Sequence, residues 1–112
     1  MSTTVDTPMP VIYNLQMVEV RETRTFSEWL SSLRDARARA EIARRVRRLA
    51  LGNPGDVKPV GEGVSELRIH YGPGYRVYYV QRGSLLIVLL CGGDKSAQAK
   101  DIAVALKLAK EV

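Results

Sequence analysis

The chain of 112 residues holds a single cysteine, Cys91, and a single histidine, His70. A lone cysteine has no intrachain partner for a disulfide, which fits a reducing compartment, the cytoplasm. One Cys and one His build no metal site without several carboxylates beside them, so chemistry without a metal or other cofactor, or no chemistry, is expected. No apolar run is long enough to cross a bilayer, so no membrane partner is expected. Residues 1–10 lack both the basic start and the apolar stretch of a signal peptide. Residues 1–14 read as a loose tail before one domain over 15–112, with no repeat and no linker.

Acidic residues are the scarcer charge, 12 against 17 Lys and Arg, for a net +5. Residues 21–48 hold nine arginines against four acids, so this segment carries the whole excess. A clustered arginine face attracts polyanions such as RNA or an acidic protein partner; it is also what a solvated helix face looks like.

The rest is an ordinary globular pattern. Residues 15–21 read as a first strand. Thr25 and Glu28 have capping-box spacing before Phe26, Trp29, Leu30 and Leu33, so a short helix is expected over about 26–34, with Trp29 in the core. Asp35 can cap a second helix from Ala36 to about Leu51, stopped by Gly52-Asn53-Pro54-Gly55. In it Ala38, Ile42, Val46 and Leu49 form one stripe, with Arg37, Arg44 and Arg48 opposite.

After a loop with Lys58, alternation places Leu67, Ile69 and Tyr71 on one strand face and Glu66, Arg68 and His70 on the other. The next strand puts Tyr75, Val77 and Tyr79 opposite Arg76, Tyr78 and Val80, with Gly72-Pro73-Gly74 as the hairpin turn. Arg82-Gly83-Ser84 turns into Leu85–Cys91, apolar enough to be buried on both faces, and Ala97–Lys110 closes the chain as a helix. The fold class is α+β, in the order β-α-α-β-β-β-α: a small antiparallel-rich sheet with an N-terminal helical hairpin packed on it and a C-terminal helix. Gly92-Gly93-Asp94-Lys95 at the strand end is either a phosphate-binding edge or a tight turn with Ser96 as the helix cap.

That order, with ELRIHYGPGYRVYYV at 66–80 and LLCGGDKSAQAKDI at 89–102, resembles the RelE/ParE superfamily of bacterial toxins, in particular its HigB-like, phage Gp49-like addiction module killer branch. The resemblance implies the toxin of a type II toxin–antitoxin module. Relatives similar to RelE and HigB cut mRNA in the ribosomal A site, whereas ParE relatives inhibit DNA gyrase by binding it; a relative without activity that only binds nucleic acid or antitoxin is a third reading. It also implies a cognate helix-turn-helix antitoxin, the ribosome and mRNA as partners, and operator DNA met only through the antitoxin complex.

RNA cleavage without a metal needs the 2′-OH deprotonated, the charge on the phosphorane stabilised and the 5′-oxygen protonated. Carried over from the resemblance, Arg76 matches the family's phosphate-binding arginine, Arg68 stands where a Lys or Arg is carried, and Lys95 follows the glycines. Pairing of Arg68 with Glu66 or Asp94 is the structural rival. The RelE-like tyrosine of the last helix falls here at about Asp101, which leaves His70, Tyr71 or Tyr78 to supply the acid or base; His70 is the candidate general base. Lys58, Arg37, Arg44 and Arg48 are the candidate RNA-binding residues.

Overall fold

The computed structural model describes residues 18–112. The tail expected over 1–14, and the first three residues of the expected first strand, lie outside the described residues. In chain order the elements are β1 (Glu19–Glu22), α1 (Arg24–Ser32), α2 (Ala36–Ala50), β2 (Val57–Gly61), β3 (Val64–Ile69), β4 (Tyr75–Arg82), β5 (Leu86–Asp94), a 3-10 turn (Lys95–Ala97) and α3 (Gln98–Ala109). One five-stranded sheet runs β1-β5-β4-β3-β2, with β1 parallel to β5 and every other pair antiparallel.

The α+β class and the helical hairpin stand, but the segment read as a loop with Lys58 is the strand β2. It contains Pro59 and Gly61, residues that disfavour a central strand. An edge strand tolerates both, because one side of its backbone needs no partner, and the register slips between Pro59 and Gly61 as a bulge would require.

Strand alternation sorts the core into two layers. Leu67, Ile69, Val77, Tyr79, Ile87 and Leu89 pack under α1 and α2 with Phe26, Ile42 and Leu49. Val64, Tyr78, Val80, Val88, Leu90 and Cys91 pack under α3 with Ala105 and Ala109. Helices thus cover both sheet faces, and this is why Ile87–Cys91 is apolar at every position.

Local signals shift in physically clear ways. The cap of α1 is Thr23, not Thr25: its hydroxyl accepts from the Phe26 N–H and donates to the Leu90 carbonyl, tying helix to sheet. Glu28 instead pairs with Arg24 one turn back. Asp35 caps α2 as expected, accepting from the N–H groups of Arg37 and Ala38. Arg45 leaves the basic face altogether. It is buried, and its guanidinium donates to the carbonyls of Arg68 and Pro54, clamping α2 to β3 and to the preceding loop.

Gly92 and Gly93 form no turn; both lie inside β5. A Cβ on Gly92 would sit 2.3 Å from the Trp29 ring, and one on Gly93 would sit 1.8 Å from the Asp101 carboxylate. These glycines therefore admit close neighbours rather than bend the chain. The cap that follows is Asp94, not Ser96. Its carboxylate accepts from the Ser96 N–H and opens the 3-10 turn.

Candidate active site

Register brings the strand arginines together. Arg68 lies directly opposite Arg76 across β3 and β4, and Glu66 opposite Tyr78, so all four share the face turned toward α3. Arg68 Nε donates to Glu66 Oε1 at 2.9 Å, while Arg76 Nε stands 3.9 Å from the same oxygen, an ion-pair distance without a hydrogen bond. The other Glu66 oxygen accepts from Tyr78 Oη at 3.0 Å and from Gln98 Nε2 at 2.7 Å. Glu66 itself is 0% exposed. Burial pushes its carboxyl up, but the bonds from Arg68, Gln98 and Tyr78 and the charge of Arg68 more than reverse this, so its pKa lies below the ordinary glutamate value. Of the structural rivals for Arg68, the Glu66 pairing is the one formed; Asp94 is taken by Ser96.

Beside this cluster opens a cleft of about 550 Å³, lined by His70, Tyr71, Gly72, Pro73, Gly74, Arg76 and Lys95. The β3–β4 turn forms one wall, and positive φ at Gly72 and Gly74 makes it tight. At Gly74 it is the backbone and not crowding that calls for glycine, since a Cβ there would make only ordinary contact with Lys95 Cβ at 3.4 Å and Arg76 Nη1 at 3.6 Å. Arg76 is only 8% exposed and leans its Nη1 toward the Gly74 carbonyl at 3.3 Å. His70 is open to solvent, with its Nε2 held 2.7 Å from Asp56 Oδ2.

Of the expected site residues, Arg76, Lys95 and His70 meet in the cleft, and Arg68 adjoins it through Glu66. Lys58, exposed on the edge strand, pairs across from Glu66. Arg37 reaches the rim: its guanidinium lies 5.5 Å over the Tyr71 ring, whose hydroxyl donates to Asp35. Arg44, paired with Glu41, and Arg48 run along α2, which covers the opposite sheet face. Arg44 and Arg48 are therefore apart from the cleft, and Arg37 alone of the three borders it.

Two candidate acid–base groups have their hydroxyls engaged by carboxylates. Burial and then the Glu66 bond push the Tyr78 hydroxyl strongly up, and the Asp35 bond raises that of Tyr71, so both serve as hydrogen-bond donors. At the place of the RelE-like tyrosine, Asp101 packs against Gly93 and not in the cleft; burial and then the Asp94 charge raise its pKa, against Lys100. Burial first, then Asp101, pushes the Cys91 thiol up to about 12, which makes it inert as a nucleophile. Glu66 as the hub, Gln98 and Asp56 were not singled out as site residues. Glu66 carried a signal, an acid two positions from Arg68 on the strand face turned to the last helix; Asp56 and Gln98 carried none.

Residues 28–111 match the model of the family described as phage derived protein Gp49-like. The chain belongs to the Gp49-like family. The matched span begins inside α1 and takes in the whole cleft and the Glu66 cluster. A relative from Haemophilus influenzae, described as an uncharacterized protein, is 50% identical over 95 residues, covering 85% of this chain and 96% of that one. Among solved structures, a double mutant of the E. coli toxin RelE in the free state superposes with a TM-score of 0.67 at 14% identity, over 81% of this chain and 96% of the other. The Gp49-like chain thus has the RelE fold.

Proposed function

We propose that the protein is the toxin of a type II toxin–antitoxin module and acts as a ribosome-dependent mRNA endonuclease. The observation that carries this reading is the meeting of Arg76, Lys95 and His70 in one cleft, with Arg68 alongside. That cluster presents cationic donors and an imidazole at a surface wide enough for a phosphodiester. The RelE fold and Gp49-like membership support the toxin class.

In the reaction, Arg76 and Arg68 receive the non-bridging phosphate oxygens, where the guanidinium fork offers paired donors as negative charge grows. His70 takes the 2′-OH proton. With Nε2–H donated to Asp56, the ring keeps its lone pair on Nδ1, the tautomer a base requires. The 2′-oxygen bonds to phosphorus, the bond from phosphorus to the 5′-oxygen breaks, and Lys95 supplies the proton that oxygen takes. A domain of this size with few base-reading groups relies on the ribosome to position its RNA. The reading places the protein in the cytoplasm, silenced by a helix-turn-helix antitoxin through which alone it meets operator DNA.

The test is 5′-end mapping of cellular mRNA after brief induction without antitoxin, beside Arg76→Ala. New ends inside translated frames, absent in the variant and when initiation is blocked, are expected. Growth arrest with intact mRNA would transfer the assignment to a protein target such as gyrase.

A further inference from the structure

Glu66 links the two strands that carry Arg68 and Arg76 to the start of α3, the helix that follows the turn bearing Lys95. It lies on β3 two residues before Arg68, faces Arg76 Nε from across the β3–β4 ladder, and accepts from Gln98, the first residue of α3 after the turn that carries Lys95. Three cations gathered at one edge repel one another, and nothing in strand register alone keeps their side chains converged. A carboxylate with no solvent exposure and a protein hydrogen bond on each oxygen is out of reach of a substrate proton. Its hydrogen bond to Arg68 and its ion pair with Arg76 both engage the Nε side of the guanidinium.

We propose that Glu66 is a positioning residue: one buried anion that sets the spacing of Arg68 and Arg76 and anchors the turn holding Lys95 against them. This rests on the endonuclease reading of the same cleft. Glu66 acts through the cations and never meets the RNA. Its loss disorders a preorganised charge arrangement and leaves every cation in the chain, so it spares affinity and strikes the chemical step.

The experiment measures single-turnover cleavage of labelled mRNA on programmed ribosomes for the parent, Glu66→Gln, Glu66→Asp and Gln98→Leu, with the Arg Nε–H resonances of each free protein. Glu66→Gln is expected to lower the maximal rate about 100-fold, with the half-saturating ribosome concentration little changed. Glu66→Asp, which keeps the charge, is expected to recover part of that rate. Glu66→Gln is also expected to move the Arg68 Nε–H signal, which Gln98→Leu leaves in place while still slowing cleavage. Parental rates in both Glu66→Gln and Gln98→Leu would overturn the proposal, as would a loss confined to affinity. Should Glu66→Gln fail to fold, Gln98→Leu decides by the same criterion. A parent that cuts no RNA would refute the endonuclease reading. The Arg68 signal would then decide the anchoring alone: unmoved in Glu66→Gln, it overturns it.

Discussion

Gly92→Ala should be among the most damaging single-methyl additions to this protein. The new Cβ would stand 2.3 Å from Cε3 and Cζ3 of Trp29 and 2.7 Å from Cη2, where ordinary contact begins at 3.4 Å. The indole is wedged between Phe26, 5.7 Å away between centroids, and Tyr75 at 6.2 Å, so it must retreat by roughly 1 Å against packed neighbours. Gly92 has no positive φ, so alanine brings no backbone strain and the clash is isolated. Overpacking of this kind costs about 1–3 kcal/mol, and three ring atoms in collision place it at the upper end. At roughly 4–8 °C per kcal/mol for a domain near this size, the Tm should fall by about 10–20 °C in a calorimetric scan. Combining the change with Trp29→Leu should recover more than about 1 kcal/mol relative to the sum of the single effects. A Gly92→Ala protein melting within a degree or two of the parent would refute the packing argument.

Other consequences are cheaper to check. Tyr78→Phe removes a donor to a buried charged acceptor and should cost about 1.5–3 kcal/mol in urea unfolding; a change near zero would mean that the Tyr78–Glu66 bond is absent. Because the folded pKa of Glu66 lies below its ordinary value of 4.5, its contribution is complete above that value and fades as pH falls through it toward the lower folded one. The stability of the parent should therefore fall more steeply than that of Glu66→Gln below about pH 4.5, and parallel curves would contradict the ionised assignment. The Cys91 thiol, buried with its pKa near 12, should resist a disulfide reagent at pH 8 until the chain unfolds; prompt labelling of the native protein would contradict its burial.

What could be read from the residues followed from period. Alternation in 65–81 assigned every strand side chain to its correct face, and the stripe Ala38, Ile42, Val46 and Leu49 put α2 on the sheet. Where Pro and Gly normally break structure, the reading stopped short: β2 was missed because an edge position excuses Pro59, and Gly92 and Gly93 looked like a turn because a glycine admitted for a tight approach is indistinguishable from one needed for φ. Arg45 is the same lesson in charge. Its arginine neighbours suggest a solvated helix, and only the carbonyls of Arg68 and Pro54 explain its burial. The cleft was legible as a set of cations. Apart from the Arg68 pair two residues away, its organisation around Glu66, and the support of His70 by Asp56, depend on hydrogen bonds 12 to 32 residues apart that no local pattern encodes.

The most direct measurement adds purified protein to ribosomes programmed with labelled mRNA and analyses the ends produced, beside free mRNA and Arg76→Ala. Cleavage on the ribosome alone, lost in the variant and leaving a 2′,3′-cyclic phosphate as attack by the 2′-oxygen requires, is the expected result. Intact mRNA on ribosomes that bind the protein would contradict the endonuclease reading, and ends bearing a 3′-hydroxyl would contradict the mechanism built on His70 and Arg76.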